Sequence, residues 1–224
     1  MKNFIYSSFH FKFLDKFLKY KRETFFKLIK SRVDLQNINS YLDIGTTTDT
    51  THESSNYLNK KFDFIKIHKT ISDQKIDDER FSNTLQKSIV DDFSKEEINT
   101  FSSDLVISNA TIEHVGSEKN QIKMIDNLIK LSNKLIIIQT INRFFPIETH
   151  TKIPFLHFLP KNIHRKILKL VGYNYYSLEE NLNLLSYNEI KIILKNFEKI
   201  VDFKINKIYS FGLLSSILII GLKK

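Results

Sequence analysis

Two short segments carry the residues best placed for chemistry. Tyr41-Leu42-Asp43-Ile44-Gly45 and Asp104-Leu105-Val106-Ile107-Ser108-Asn109 are apolar runs that stop abruptly in small or polar residues. A parallel sheet delivers side chains to a ligand crevice in this way, at the carboxyl ends of its strands. Gly45 allows a sharp backbone turn beneath a ligand, and Asp43 suits a positively charged amino-acid moiety or the amides of the following loop. That loop, Thr46-Thr47-Thr48-Asp49-Thr50, is β-branched and glycine-poor, which argues against a pyrophosphate resting on bare backbone N–H groups. Asp73 follows Gly45 by 28 residues, after a second apolar run. A carboxylate there would accept hydrogen bonds from both hydroxyls of a ribose. Residues 142–160 form a third group, in which Arg143, Glu148, His150 and His157 set a cation, a carboxylate and two imidazoles among aromatic residues. A hydroxyl that attacks an electrophile must lose its proton, and a His or Glu at hydrogen-bond reach can take it. The other reading of this group is structural, with Arg143 paired to Glu148 and the aromatics filling core. Neither Glu-x-x-His nor His-Glu-x-x-His spacing occurs, so no metal is expected.

The elements that must position these residues follow from periodicity. Residues 11–30 place Leu14, Phe17, Leu18, Phe25, Leu28 and Ile29 near one helical face, interrupted by Lys21 and Arg22, so one helix or two short ones are expected. Strands are expected at residues 40–45, 64–71, 85–90, 104–108 and 134–140. Helices are expected at 53–60 and 118–131, then at 161–170 and 187–197, the last capped by Ser186. Residues 201–209 and 215–222 close the chain as a strand pair joined by a short turn containing Gly212. Strands alternating with helices imply right-handed crossovers and a mostly parallel sheet, and the closing hairpin adds an antiparallel strand.

In residue type and order, the first two segments resemble the first and fourth strand motifs of class I S-adenosylmethionine (SAM)-dependent methyltransferases. The string Ser108-Asn109-Ala110-Thr111-Ile112-Glu113-His114-Val115-Gly116 resembles the post-strand motif of their small-molecule and lipid-type members. Asn142-Arg143-Phe144-Phe145-Pro146-Ile147-Glu148-Thr149-His150-Thr151, with His157-Phe158-Leu159-Pro160, resembles a segment that follows the fifth strand in a bacterial subset. The resemblance implies an α/β, Rossmann-like methyltransferase fold: a mostly parallel seven-stranded sheet with a C-terminal antiparallel hairpin and helices on both faces. It implies SAM as cofactor, held by Asp43, Gly45, Thr46, Asp73, Asp92 and Asn109. In that scheme Asp92 ends the third strand against the adenine amino group, and Asn109 lies along the methionine part. Asp91 and Asp92 equally suit a helix start ahead of Ser94-Lys95-Glu96-Glu97. The family's first loop commonly continues with further glycines, which this chain lacks. Glu113 and His114 fall in the turn that closes the pocket, where His114 reads as structural. The Asn-Pro-Pro-aromatic string of adenine- and glutamine-directed enzymes is also missing.

The function expected on these grounds is methyl transfer to a small-molecule, sugar or lipid-linked acceptor, on oxygen, by in-line displacement at the methyl carbon. His150, with Glu148 or His157, would face the acceptor. A second reading is a non-catalytic, methyltransferase-like binding or scaffold domain.

Charge and composition bound the rest. The 224 residues suit one α/β domain, with residues 1–35 as a basic aromatic lid, 36–224 as the methyltransferase domain and an acceptor-side insertion at 142–175. There is no Cys, which excludes disulfides, thiolate metal sites and cysteine nucleophiles and points to the cytoplasm. Residues 1–32 hold seven Lys and two Arg against Asp15 and Glu23, a net +7 out of +9 for the chain. Charge gathered at one end fits a local surface, either a lid or a peripheral membrane contact, and no nucleic-acid partner is expected. No signal peptide is visible, and the most apolar run, residues 211–222, has 12 residues where a spanning helix needs ~20.

Overall fold

The computed structural model describes residues 8–48 and 55–224 and, along the first helix, the side chains from Lys16 on. Seven strands form one sheet: β1 (Ser40–Ile44), β2 (Ile67–Ser72), β3 (Asn83–Gln86), β4 (Ser103–Asn109), β5 (Ser132–Ile141), β6 (Val201–Ser210) and β7 (Leu213–Lys223). Their order across the sheet is β3-β2-β1-β4-β5-β7-β6. Neighbours are parallel from β3 through β5, and β7 runs antiparallel to both β5 and β6. The β6–β7 connection is the two-residue turn Phe211-Gly212, both with positive φ, the backbone that follows the twist of a tight hairpin.

The apolar runs of the central strands are continuous because both faces of the sheet are covered. Leu42 and Ile44 of β1, Val106 of β4, Ile136 and Ile138 of β5, and Ile217 and Ile219 of β7 pack on one side. There they meet Met124, Ile125 and Leu128 of α4 (Glu118–Leu131) and Ile190, Ile193 and Leu194 of α6 (Tyr187–Lys195). The alternate residues, among them Tyr41, Leu105, Ile107, Leu135 and Ile137, face the other way. They are covered by Phe25 and Ile29 of α1 (Ser8–Arg32) and by Leu58 of α2 (Tyr57–Lys61) with the following Phe62. Two further helices, α3 (Lys95–Phe101) and α5 (Lys161–Leu170), lie in the crossovers. Ser94 and Ser186 each start a helix with a capping box, their hydroxyls accepting from the N–H groups of Glu97 and Glu189. No helix among the described residues is long and apolar enough to cross a membrane.

Two sequence expectations, β2 and β3, are corrected in their bounds, and the alternatives for the first helix are decided. α1 is one continuous helix, since Lys21 does not break it: its stem is buried and its ammonium lies 5.5 Å and 5.4 Å from the ring centres of Phe17 and Phe145. β2 starts at Ile67 and not at residue 64, because a turn over Phe62–Ile65 leaves Phe64 exposed. β3 is Asn83–Gln86 and not residues 85–90; after Lys87 donates its N–H to the Ser72 carbonyl, the chain leaves the sheet and turns at Ser88. Of the helix expected at 53–60, the start lies outside the described residues, as do residues 49–52 of the first loop and the side chain of Leu14.

β1 sits between β2 and β4, so the winding of the chain reverses between β1 and β4. At such a switch point the loops leaving the two strands part and open a crevice at their carboxyl ends.

Candidate functional site

A cleft of about 660 Å³ lies there, a size ordinary for a small-molecule or cofactor site. Its floor is built where β1 and β4 end. Gly45 has φ +88°, and a Cβ on it would stand 2.4 Å from Thr111 Oγ1. Only glycine lets the β1 and β4 loops approach this closely. Across the floor, Asn109 ends β4 and Ala110 follows in a left-handed conformation, φ 56°. Asn109 Oδ1 is buried and has no hydrogen-bond partner among the described residues.

The β1 loop is held from within. Asp43 is 7% exposed and reaches the cleft wall, while its Oδ2 accepts from the Thr46 hydroxyl and from Asn59 Nδ2. Burial pushes the Asp43 carboxyl up, against the pull of those hydrogen bonds. Thr46 is buried behind the cleft, bonded also to the Thr70 hydroxyl at 2.7 Å, and Thr47 is the loop residue that faces the ligand space. Gln74 Oε1 accepts from the Thr48 N–H and hydroxyl, both at 2.9 Å, tying this loop to the end of β2. Asp73 stands beside Gln74 on the rim, exposed and lining the cleft.

Asp92 is not in the cleft. Because β3 ends at Gln86, the chain passes the cleft at Ser88, Ile89 and Val90 and has already turned when it reaches Asp92. Asn127 of α4 fixes the turn by donating to the carbonyls of Ile89 and Asp91, and Asp92 points outward to Lys123. Past Lys87, the residues that line this wall are therefore apolar or small, not acidic. From above, α1 contributes Arg22 and α2 contributes Tyr57 and Asn59.

At the other end of the cleft, three titratable residues meet. His114 and His150 line it, with their Nε2 atoms 2.9 Å apart. Glu148 lies behind His150, 1% exposed, and accepts from the N–H groups of His150 and Thr151, from the Thr151 hydroxyl and from His150 Nδ1. Burial would raise the Glu148 carboxyl, but these donors and the His150 charge hold it at about 2. Burial would lower the His150 imidazole, yet the hydrogen bond and charge of Glu148 hold it above its ordinary value. A carboxyl so acidic stays ionised and takes up no proton at neutral pH; it orients His150.

His157 is also outside the cleft. Its Nε2 meets the Phe145 carbonyl at 2.7 Å and its own carbonyl accepts from Arg143 Nε, so it pins the segment that carries His150. Arg143 bonds the carbonyls of His157 and Leu159, not Glu148. Tyr176 lies beside the His150 ring, and Tyr175 and Glu180 complete that wall.

Asp43, Gly45, Asp73, Asn109 and His150 thus line one cleft, Thr46 and Glu148 stand one layer behind, and Asp92 and His157 lie elsewhere. Sequence reasoning placed His114 in the turn that closes the pocket but read it as structural, and it missed Arg22 and the Tyr175–Glu180 wall. Arg22 did leave a signal, a charge inside an apolar helical stripe; the tyrosine wall has no periodicity to betray it.

No protein-family model and no curated protein matches this sequence. Solved structures do share its architecture. The N-methyltransferase NodS from Bradyrhizobium japonicum WM9 aligns with a TM-score of 0.52 at 10% identity, over 91% of this chain and 96% of that one. Magnesium protoporphyrin IX methyltransferase (ChlM) from Synechocystis PCC 6803 with bound SAM aligns at 0.50 and 8% identity, over 92% and 79%. A structure from Rhodobacter sphaeroides described as a putative Zn-dependent alcohol dehydrogenase aligns at 0.56 and 10%, over 85% and 87%. At these identities the likeness is one of fold: this chain has the Rossmann-like methyltransferase fold.

Proposed function

We propose that this chain is a SAM-dependent methyltransferase that moves a methyl group to a small-molecule, sugar or lipid-linked acceptor, on oxygen. The observation that carries the reading is the cleft at the β1–β4 switch point, with Gly45 and Asn109 on its floor and Asp73 on its rim. SAM is a nucleoside joined to an amino acid, and the residues present fit its parts. Asp73 is an exposed carboxylate for ribose hydroxyls, Ile89 and Val90 offer an apolar wall for a base, and Asn109 brings an unmatched buried oxygen to the amino-acid side. Bound there, the sulfonium supplies an already activated methyl group, so the protein's task is mainly to orient and to exclude water. The His114–His150 pair sets the polar end of the cleft, where an acceptor hydroxyl would give up its proton. Residues 1–35 act as the lid, a role supported by Arg22 in the cleft wall, and the insertion at 142–175 forms the acceptor side, supported by His150 and Tyr175.

Calorimetric titration with SAM and S-adenosylhomocysteine tests the reading. Both are expected to bind, and Asp73→Ala, an exposed change that leaves the core intact, is expected to weaken them about 10-fold or more. A folded chain that takes up neither ligand would instead be a scaffold domain, the outcome its glycine-poor first loop would then explain.

A further inference from the structure

The two histidines of the cleft face each other with their far sides already engaged. His150 Nδ1 lies against the Glu148 carboxylate, and His114 Nδ1 lies 2.7 Å from the Asn181 carbonyl oxygen. Neither acceptor can donate, so each Nδ1 carries a proton, and in the form of the rings that binds a metal, with no second proton, each Nε2 is a bare lone pair. Those two Nε2 atoms are 2.9 Å apart. Two lone pairs at that distance repel unless a positive charge lies between them. Glu113 belongs to the same cluster: one of its carboxylate oxygens and one nitrogen of each ring all lie within 4.8 Å of one another. Glu113 is wholly buried, its Oε2 accepts from the Thr140 hydroxyl at 2.9 Å, and its Oε1 has no hydrogen-bond partner among the described residues.

We infer that Glu113, His114 and His150 form a binding site for a divalent first-row transition metal ion, opening onto the cleft. Two imidazoles and one carboxylate are a donor set that such ions favour, with further positions left for substrate. Each donor has the outer contact that metal ligands typically keep: Glu148 on His150, the Asn181 carbonyl on His114, Thr140 on Glu113. The spacing of the two nitrogens agrees with adjacent corners of a six-coordinate ion, ~3.0 Å for bonds of ~2.1 Å, better than with the ~3.4 Å of a tetrahedral one. A proton shared between the rings would also relieve their repulsion, but it leaves Glu113 Oε1 unmatched; an ion uses all three residues. Because both rings line the cleft, the remaining positions face the space where an acceptor hydroxyl would bind, and a metal-bound hydroxyl loses its proton more readily. The site rests on these three residues and not on the identity of the methyl donor.

The test uses Co²⁺ alone, on full-length, chelator-stripped chain without a histidine tag, by equilibrium dialysis and visible absorption. One Co²⁺ per chain is expected, with Tm raised by the ion. Glu113→Gln and His150→Gln, each checked for its fold by circular dichroism, are expected to bind at least about 100-fold more weakly, and Glu148→Gln about 10- to 100-fold. Wild-type uptake no greater than that of His150→Gln, or uptake that survives in both ligand variants, overturns the site. Failure of Co²⁺ to raise Tm and to bind the wild type overturns it without recourse to any variant. No donor enters the measurement, so this outcome and that of the SAM titration are independent.

Discussion

Gly45 holds two constraints at one position. Its φ of +88° is unfavourable for any residue with a Cβ, and the space a Cβ would fill is taken by Thr111. Gly45→Ala must therefore strain the β1 loop and push the β4 loop away at the same time. It is expected to cost about 1–3 kcal/mol in urea unfolding and to abolish SAM binding in calorimetry. A variant with wild-type midpoint and affinity would mean that the two loops do not form the ligand floor. Glu148 shows how a residue can matter without touching ligand: four donors converge on its carboxylate and so fix the His150 ring.

At the level of elements, α1 is held to the domain by Phe25 and Ile29 and carries a buried charge that costs stability. Lys21 is 5% exposed and its amine is lowered from the usual 10.5 to about 8, first by burial and then by Arg22. At neutral pH the amine is charged in both states and the folded state bears the burial cost in full, roughly 3 kcal/mol. Between about pH 8 and 10.5 the unfolded chain holds more protons than the folded one, so this contribution to stability rises with pH and levels off above. Lys21→Met is accordingly expected to add about 1–3 kcal/mol at pH 7 and little above pH 10.5 in urea titrations, net of any lost contact with the Phe17 and Phe145 rings. An equal gain at both pH values would show that packing, not charge, governs the position. Phe25 and Ile29 lie in the core, so α1 is part of the folded domain and not a detachable arm.

For the whole molecule, the catalytic and scaffold readings differ in one equilibrium property. A donor pocket couples ligand to folding, and a ligand at 100 times its Kd adds about 2.7 kcal/mol of stability. S-adenosylhomocysteine is therefore expected to raise Tm in a concentration-dependent way. A Tm that stays constant up to millimolar ligand would leave the architecture intact and remove the enzyme. The sheet itself is indifferent to that result, since a fold hosts many functions and the site decides among them.

The sequence by itself determined the sheet and the place of the cleft. Runs such as Leu135–Ile138 and Leu105–Ile107, short and bounded by polar residues, fit strands buried on both faces, and their abrupt polar ends put Gly45 and Asn109 together at one edge. These are local, periodic properties, and they survive errors of up to four residues in the bounds of β2 and β3. Tertiary structure alone decided which polar residues reach the ligand space. The early end of the four-residue β3 turned Asp92 out to Lys123 and brought Ile89 and Val90 in, and no local pattern sets that end. The meeting of His114 with His150, 36 residues apart, depends on how the segment after β5 folds back over the end of β4. Long-range contacts of that kind are chosen by packing of the complete chain, which is why a metal site with no spacing signature could lie within a sequence that shows none.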